Sequence, residues 1–211
     1  MPEASPQTLT GRLRKLVQVP LDRFGVVLAR LGVHPDWITV AGVLLVGVAA
    51  IFLAGGEFLI GGMLLLLGLP LDALDGAVAR AKGRHDAFGM VLDSTLDRYA
   101  DGLIFTALSY YFAASGRLDM LALALAALVG SYLVSYIRAR ADDANVGVST
   151  TVGFFTRLER VVVIFVMIIG SGVLASTLPL EIGMLVLALG TNITALQRLR
   201  HVYRTLKERG D

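Results

Sequence analysis

The sequence predicts an all-α integral membrane protein, with six transmembrane helices preceded by a cytoplasmic amphipathic helix lying in the membrane interface. Three observations carry this expectation. First, 55% of the 211 residues are hydrophobic and only 17% are charged. An ordinary soluble domain carries about 25% charged residues, and long apolar runs make up the difference. Second, nearly all the Lys and Arg residues fall in alternate connections between those runs. Third, the residues before the first run repeat apolar positions at helical spacing, with cations interleaved.

Crossing the hydrocarbon core takes roughly 20 apolar residues in a helix. The candidate spans are Trp37–Gly56, Phe58–Ala79, Gly89–Ala114, Leu118–Ile137, Val161–Ser176 and Leu178–Leu196. A tight turn near Gly55 and Glu57 joins the first two, and Gly116 breaks the third from the fourth. Arg12, Arg14, Lys15, Arg23 and Arg30 precede the first span, and Arg80, Lys82 and Arg84 separate the second from the third. Arg138, Arg140, Arg157 and Arg160 lie between the fourth and fifth, and Arg198, Arg200, Arg204, Lys207 and Arg209 follow the sixth. Arg98 falls inside the third span, which leaves Arg117 as the cation of the opposite-side connections. By the positive-inside rule, both termini and the second and fourth connections face the cytoplasm of a multi-pass cell-membrane protein. An odd number of spans would destroy this asymmetry.

Ahead of the first span, Leu13, Leu16, Val17, Leu21, Phe24, Val27, Leu28 and Leu31 recur at helical spacing, with Arg12, Lys15, Arg23 and Arg30 between them. This pattern suits a helix in the membrane interface, bent or restarted at Pro20. An ordinary helix packed on the protein's own surface is the alternative. The expected organisation is a juxtamembrane segment over 1–36, a membrane domain over 37–203 and a cytoplasmic tail over 204–211. With no Cys in the chain, any metal must be held by oxygen or His ligands. His34, His85 and His201 are scattered and read as surface residues. The net charge is only +2, and membrane lipids rather than nucleic acid are the expected surroundings.

The chemistry-bearing residues are aspartates. Asp72 and Asp75 close the second span three residues apart, while Asp93 and Asp97 stand four apart in the third. Each pair therefore shares one helical face. The connection is short, so the two helices run antiparallel, and the four carboxylates are expected to converge near the cytoplasmic surface. Ionised groups at membrane depth are expensive and usually functional. Carboxylate oxygens suit hard ions such as Mg²⁺, Mn²⁺ or Ca²⁺. Two divalent ions balance four carboxylates, and a pair roughly 3.5–4 Å apart is the usual clamp for in-line phosphoryl displacement. Gly76, Ala79 and Gly89 remove bulk beside the carboxylates, and Arg80 supplies a fixed cation for phosphate. Close helix packing alone would also select the glycines.

The stretch Asp72–Asp97 resembles, at all eight specified positions, the pattern D-x2-D-G-x2-A-R-x8-G-x3-D-x3-D of the CDP-alcohol phosphotransferases. The six-span layout and the amphipathic N-terminal helix are similar too. The resemblance implies that Asp72, Asp75, Asp93 and Asp97 bind the metal ions, two Mg²⁺ or alternatively Mn²⁺. It also implies that Asp97 removes the acceptor hydroxyl proton. Gly76, Ala79, Arg80, Asp86 and Gly89 would contact a CDP-linked lipid donor. The run from His34 to Thr39 resembles the family's P-[ND]-x-x-T element, so that Asp36 and Thr39 would hold the nucleotide; Asp36 reads equally well as the N-cap of the first span. A homodimer is implied as well.

A second cluster of charges bears on the acceptor. The segments around Ser135, Arg138, Glu159-Arg160 and Gln197-Arg198 resemble those that bind inositol phosphate in the family's prokaryotic phosphatidylinositol phosphate synthases. Anchoring by anionic lipid heads explains Arg204, Lys207 and Arg209. It explains Arg138, Arg160 and Arg198 less well, because each adjoins an apolar stretch. There are departures from the family pattern. Arg138 stands where Lys is familiar, Leu158 replaces a proline, and Asp86 takes the place of a small hydroxyl residue. The expected reaction is transfer of a phosphatidyl group from CDP-diacylglycerol, or an archaeal-type CDP-lipid, to inositol phosphate. Phosphatidylglycerophosphate synthesis from glycerol 3-phosphate is the alternative, since both acceptors carry a phosphate. A divalent-metal transporter would need polar residues continuing to the far side, where these spans are apolar.

Overall fold

The computed structural model describes residues 22–83, 87–147 and 152–210. Helix α1 covers 22–30. It is followed by α2 (Pro35–Ala54), α3 (Phe58–Ala81), α4 (Ala87–Ala114), α5 (Leu118–Asp143), α6 (Arg157–Leu174) and α7 (Leu178–Arg209). Among the described residues there is no strand, and each of the six predicted spans falls on a helix. The part of the predicted amphipathic segment before residue 22, including Pro20, lies outside the described residues.

Helices α2, α5 and α7 are long and apolar enough to cross a membrane, and Phe58–Gly68 forms a shorter apolar run within α3. Charged side chains interrupt the other helices. Asp72, Asp75 and Arg80 end α3, Asp93, Asp97, Arg98 and Asp101 occupy α4, and Arg157, Glu159 and Arg160 open α6. Large apolar side chains cover the outer faces, among them Ile51, 72% exposed, and Val166, 65% exposed. Such a surface is stable where the surrounding solvent is hydrocarbon.

The connections are short because the helix ends are closed locally. At the end of α2, the Glu57 amide donates to the Phe52 carbonyl (2.9 Å) and the Gly56 amide to that of Leu53 (3.1 Å). Gly56 has φ +83, a left-handed conformation in which a Cβ would be strained. The same pattern ends α4 at Gly116. At the end of α6 the left-handed position is filled by Ala175, φ +48, rather than by glycine.

The helices build two compact units. The first holds α1 through Leu45 of α2 and resumes over Leu65–Asp97. In it, α1 packs on α3 where Gly25 meets Ala77, so closely that a Cβ on Gly25 would lie 2.7 Å from that of Ala77. The opposite face of α1 leaves Phe24 and Val27 exposed, and Leu31 just beyond the helix is exposed too. Lys82 Nζ donates to the Val33 carbonyl (2.6 Å) and Arg80 pairs with Asp22 (3.0 Å), tying the end of α3 to the α1 region.

The second unit comprises Val46–Leu64 and the chain from Arg98 onward. Within it α7 packs chiefly against α5 and α6. A Cβ on Gly130 would meet Thr191 Oγ1 at 2.2 Å, so only glycine lets α5 approach α7 at that level, and Asn192 Nδ2 donates across to the Ala126 carbonyl at 2.9 Å. Close approach through small residues and interhelical amide bonds is how helices associate without a hydrophobic driving force. Helix α6 opens on Thr156, whose amide donates to Glu159 Oε2 at 2.8 Å. The Thr156 hydroxyl also bonds this carboxylate and holds it below the usual carboxylate range.

Residues 204–209, expected in the tail, are helical and continue α7. The reason is packing. Val202 and Leu206 lie with Val152 against buried Ala141 and Val146, and Arg209 Nη1 donates to the Asn145 carbonyl at 3.0 Å.

Candidate active site

The start of α2 shapes one wall of a cavity in the first unit. Pro35 occupies the first helical position, where its missing N–H is no loss. Asp36 therefore lies inside the first turn; it is not the N-cap. Its carboxylate is favoured there by the helix dipole and faces His34 Nδ1 at 3.3 Å. Thr39, one turn on, donates its hydroxyl to Asp75 Oδ2 at 2.8 Å. The other oxygen of Asp75 accepts the amide of Gly76. Asp75 is 8% exposed, and these bonds orient a carboxylate that would otherwise be costly to bury.

A cavity of about 490 Å³ opens beside this pair, lined by Pro35, Asp36 and Thr39 from α2, Asp75, Gly76 and Ala79 from α3, and Ala87, Gly89, Met90 and Asp93 from α4. Of the residues expected to bind donor or metal, Asp36, Thr39, Asp75, Gly76, Ala79, Gly89 and Asp93 therefore surround one space. Pro35 belongs to the run from His34 to Thr39 already singled out, whereas Ala87 and Met90 were not anticipated, because spacing marks polar positions more clearly than apolar wall residues. Arg80 is exposed and paired with Asp22, with Nη1 only 3.3 Å from where a Cβ on Gly76 would stand. Asp97 follows Asp93 by one turn and is half-buried, but it is not among the lining residues. The Asp72 side chain and Asp86 lie outside the described residues. Among the described residues, no group of three or more His, Asp or Glu side chains is assembled to hold a metal. The carboxylates lining the cavity nevertheless supply the all-oxygen donor chemistry that a hard divalent cation takes.

The residues expected to bind the acceptor phosphate belong to the second unit and gather along one face of α5. Arg160 and Arg198 are 4% and 5% exposed. Arg160 Nη1 donates to the Ser131 carbonyl at 3.3 Å, while Arg198 Nη1 donates to that of Val134 at 2.8 Å and its Nε to that of Val152 at 3.0 Å. Ser135 lies on the same face, with its hydroxyl 3.4 Å from the Ser131 carbonyl. Arg138, a further turn along, is exposed. Arg138 and Arg160 are both within electrostatic reach of Arg198. Like charges at close quarters favour an anionic ligand. Asp101, absent from the motif, faces both Arg160 and Arg98, at 3.6 and 3.7 Å. Its position one turn beyond Asp97 in an apolar helix was the available signal.

Known proteins resemble this chain over most of its length. The sequence model of the CDP-alcohol phosphatidyltransferase family matches residues 32–195. The archaetidylinositol phosphate synthase of Pyrococcus horikoshii is 35% identical over 199 residues, which cover 94% of this chain and 99% of that protein. The phosphatidylinositol phosphate synthase of Mycobacteroides abscessus is 37% identical over 180 residues, covering 84% of this chain and 80% of that one. The crystal structure of the Mycobacterium tuberculosis phosphatidylinositol phosphate synthase with CDP-DAG bound superposes with a TM-score of 0.78 at 33% identity, covering 87% of this chain and 93% of that one. Its complex with manganese and citrate gives a TM-score of 0.80 at 32% identity, covering 87% and 88%.

Proposed function

Because this chain belongs to the CDP-alcohol phosphatidyltransferase family, we propose that it is a membrane enzyme that transfers the phosphatidyl group of CDP-DAG, or of an archaeal-type CDP-lipid, to inositol phosphate with release of CMP. The observation that carries this reading is the cavity whose walls combine Asp36, Thr39, Gly76, Ala79 and Gly89 with the carboxylates of Asp75 and Asp93.

The glycine and alanine positions let a flat pyrimidine and its diphosphate approach the α3 and α4 backbones. Arg80, beside Gly76, offers a guanidinium for a donor phosphate. Asp72, Asp75, Asp93 and Asp97 would hold two divalent ions, Mg²⁺ or Mn²⁺, with Thr39 orienting Asp75. When bound, such ions neutralise the diphosphate and the charge building up on the departing CMP. The acceptor's phosphate is taken by Arg138, Arg160 and Arg198, with Ser135 as a further donor. Its hydroxyl oxygen then attacks the lipid-side phosphorus, the bond to CMP breaks, and the hydroxyl proton passes to Asp97. Two of the relatives bear names that specify phosphatidylinositol phosphate or archaetidylinositol phosphate synthesis, which supports inositol phosphate over glycerol 3-phosphate.

All six helices α2–α7 span the membrane in this reading. The placement of Lys and Arg supports cytoplasmic termini and a cytoplasmic active site, and the exposed Phe24 and Val27 of α1, with Leu31 just beyond it, support a helix seated in the interface. A homodimer follows from the family resemblance.

The test is CMP release from reconstituted protein supplied with CDP-DAG, Mg²⁺ or Mn²⁺, and either inositol phosphate or glycerol 3-phosphate. Release with inositol phosphate is expected. Release with glycerol 3-phosphate alone would overturn the acceptor, and metal flux without CMP release would overturn the enzyme. Asp97→Asn should lower turnover by about 10²–10⁴-fold while donor binding persists.

A further inference from the structure

The charged residues of the second unit include one that the reaction as described does not use. Asp101 sits in α4 with its side chain 17% exposed. A single oxygen, Oδ2, faces Arg160 Nη2 at 3.6 Å and Arg98 Nη2 at 3.7 Å. Tyr132 of α5 donates its hydroxyl to the Arg98 carbonyl at 2.9 Å. Glycine at residue 102 leaves room for the Tyr132 hydroxyl, since a Cβ there would lie 2.6 Å from it. The Arg160 guanidinium thus faces the carboxylate of α4 through Nη2 and donates to the Ser131 carbonyl of α5 through Nη1.

A buried ion pair of this kind is a poor source of stability, because desolvation offsets most of the attraction. An intramembrane carboxylate is retained mainly where it serves a functional charge. Arg138 and Arg160 both repel Arg198, so an empty anion site needs a fixed countercharge to keep its guanidinium in place. Five N–H donors let one guanidinium serve a carbonyl, a carboxylate and a phosphate together.

We propose that Asp101 is a positioning residue for the acceptor: by facing Arg160 across from the Ser131 carbonyl, it sets that guanidinium to receive the phosphate of the phosphorylated alcohol. This rests on the reading of Arg160 as an acceptor-phosphate ligand. Asp101 is not among the residues lining the cavity read as the donor site, and its effect therefore falls on one substrate.

The experiment is steady-state CMP release by the reconstituted full chain, varying inositol phosphate and CDP-DAG separately, for Asp101→Asn, Asp101→Glu and Arg160→Lys. Asp101→Asn should raise KM for inositol phosphate about tenfold, the order seen when a ligand-binding group loses its orienting partner. KM for CDP-DAG should stay within about twofold, and Asp101→Glu, which restores the carboxylate, should recover part of the loss. An unchanged KM for inositol phosphate, or equal rises for both substrates, would overturn the proposal. If Asp101→Asn does not fold, Asp101→Glu carries the test, since a displaced carboxylate must still raise KM for inositol phosphate selectively. Arg160→Lys separates the two levels. No effect on KM for inositol phosphate removes the acceptor reading itself, whereas a rise without one in Asp101→Asn removes only the positioning role.

Discussion

Thr39 and Asp75 lie 36 residues apart, yet the threonine hydroxyl donates to Oδ2 of the carboxylate at 2.8 Å. The bond joins the first turns of α2 to the polar end of α3 and turns a buried carboxylate into an oriented one. A hydroxyl that fixes the rotamer of a proposed metal ligand acts on affinity without touching the metal.

Thr39→Val keeps the shape of the side chain and removes that donor. Half-maximal CMP release should require about tenfold more Mn²⁺ or Mg²⁺, with near-normal turnover at saturating metal. Metal titrations of the variant and the parent protein check this, and an unchanged metal requirement would separate Thr39 from the metal site.

Gly76 bounds the cavity beneath Arg80. A Cβ at this position stands 3.3 Å from Arg80 Nη1, so Gly76→Ala must displace a flexible side chain, whereas Gly76→Val also fills the cavity wall. KM for CDP-DAG is expected to rise in the order Gly, Ala, Val, with KM for the acceptor constant. Equal affinities across the series would show that the donor does not approach this backbone.

Ala175 ends α6 at φ +48, where a Cβ costs about 1 kcal/mol. Ala175→Gly relieves that strain, less about 0.4–1 kcal/mol for the greater freedom of the unfolded chain, so the net gain is small. A rise in thermal stability in detergent, without change in activity, is the expected result.

Glu159 is held below its ordinary value of 4.5 by the Thr156 hydroxyl. A carboxyl with a depressed folded-state pKa contributes stability above its unfolded value, and this is lost as pH falls through the folded value. The melting temperature of Glu159→Gln should therefore trail the parent near pH 7 and converge with it below 4.5. A constant gap across that range would mean that the carboxylate charge is not what caps α6.

Much of this molecule was legible before folding, because its signals are local. Apolar runs, the glycines at Gly56 and Gly116, and carboxylates three or four residues apart all declare helices, ends and shared faces within a turn or two. The long-range partners were not legible. Nothing in the spacing pairs Asp22 with Arg80, 58 residues away, and the helical continuation to Arg209 depends on Leu206 finding Val146.

The sequence by itself determined the helices, the charge asymmetry and the carboxylate pattern that places the chain in its family, since each depends on neighbours along the chain. Tertiary structure alone decided that Asp36 is a wall of the cavity rather than a cap, that Thr39 steers Asp75, and that Asp101 faces Arg160. Those relationships depend on which helix faces meet, and on close approaches permitted only by residues such as Gly25, Gly102 and Gly130. The aspartates announced the chemistry, and packing selected the side chains that orient it.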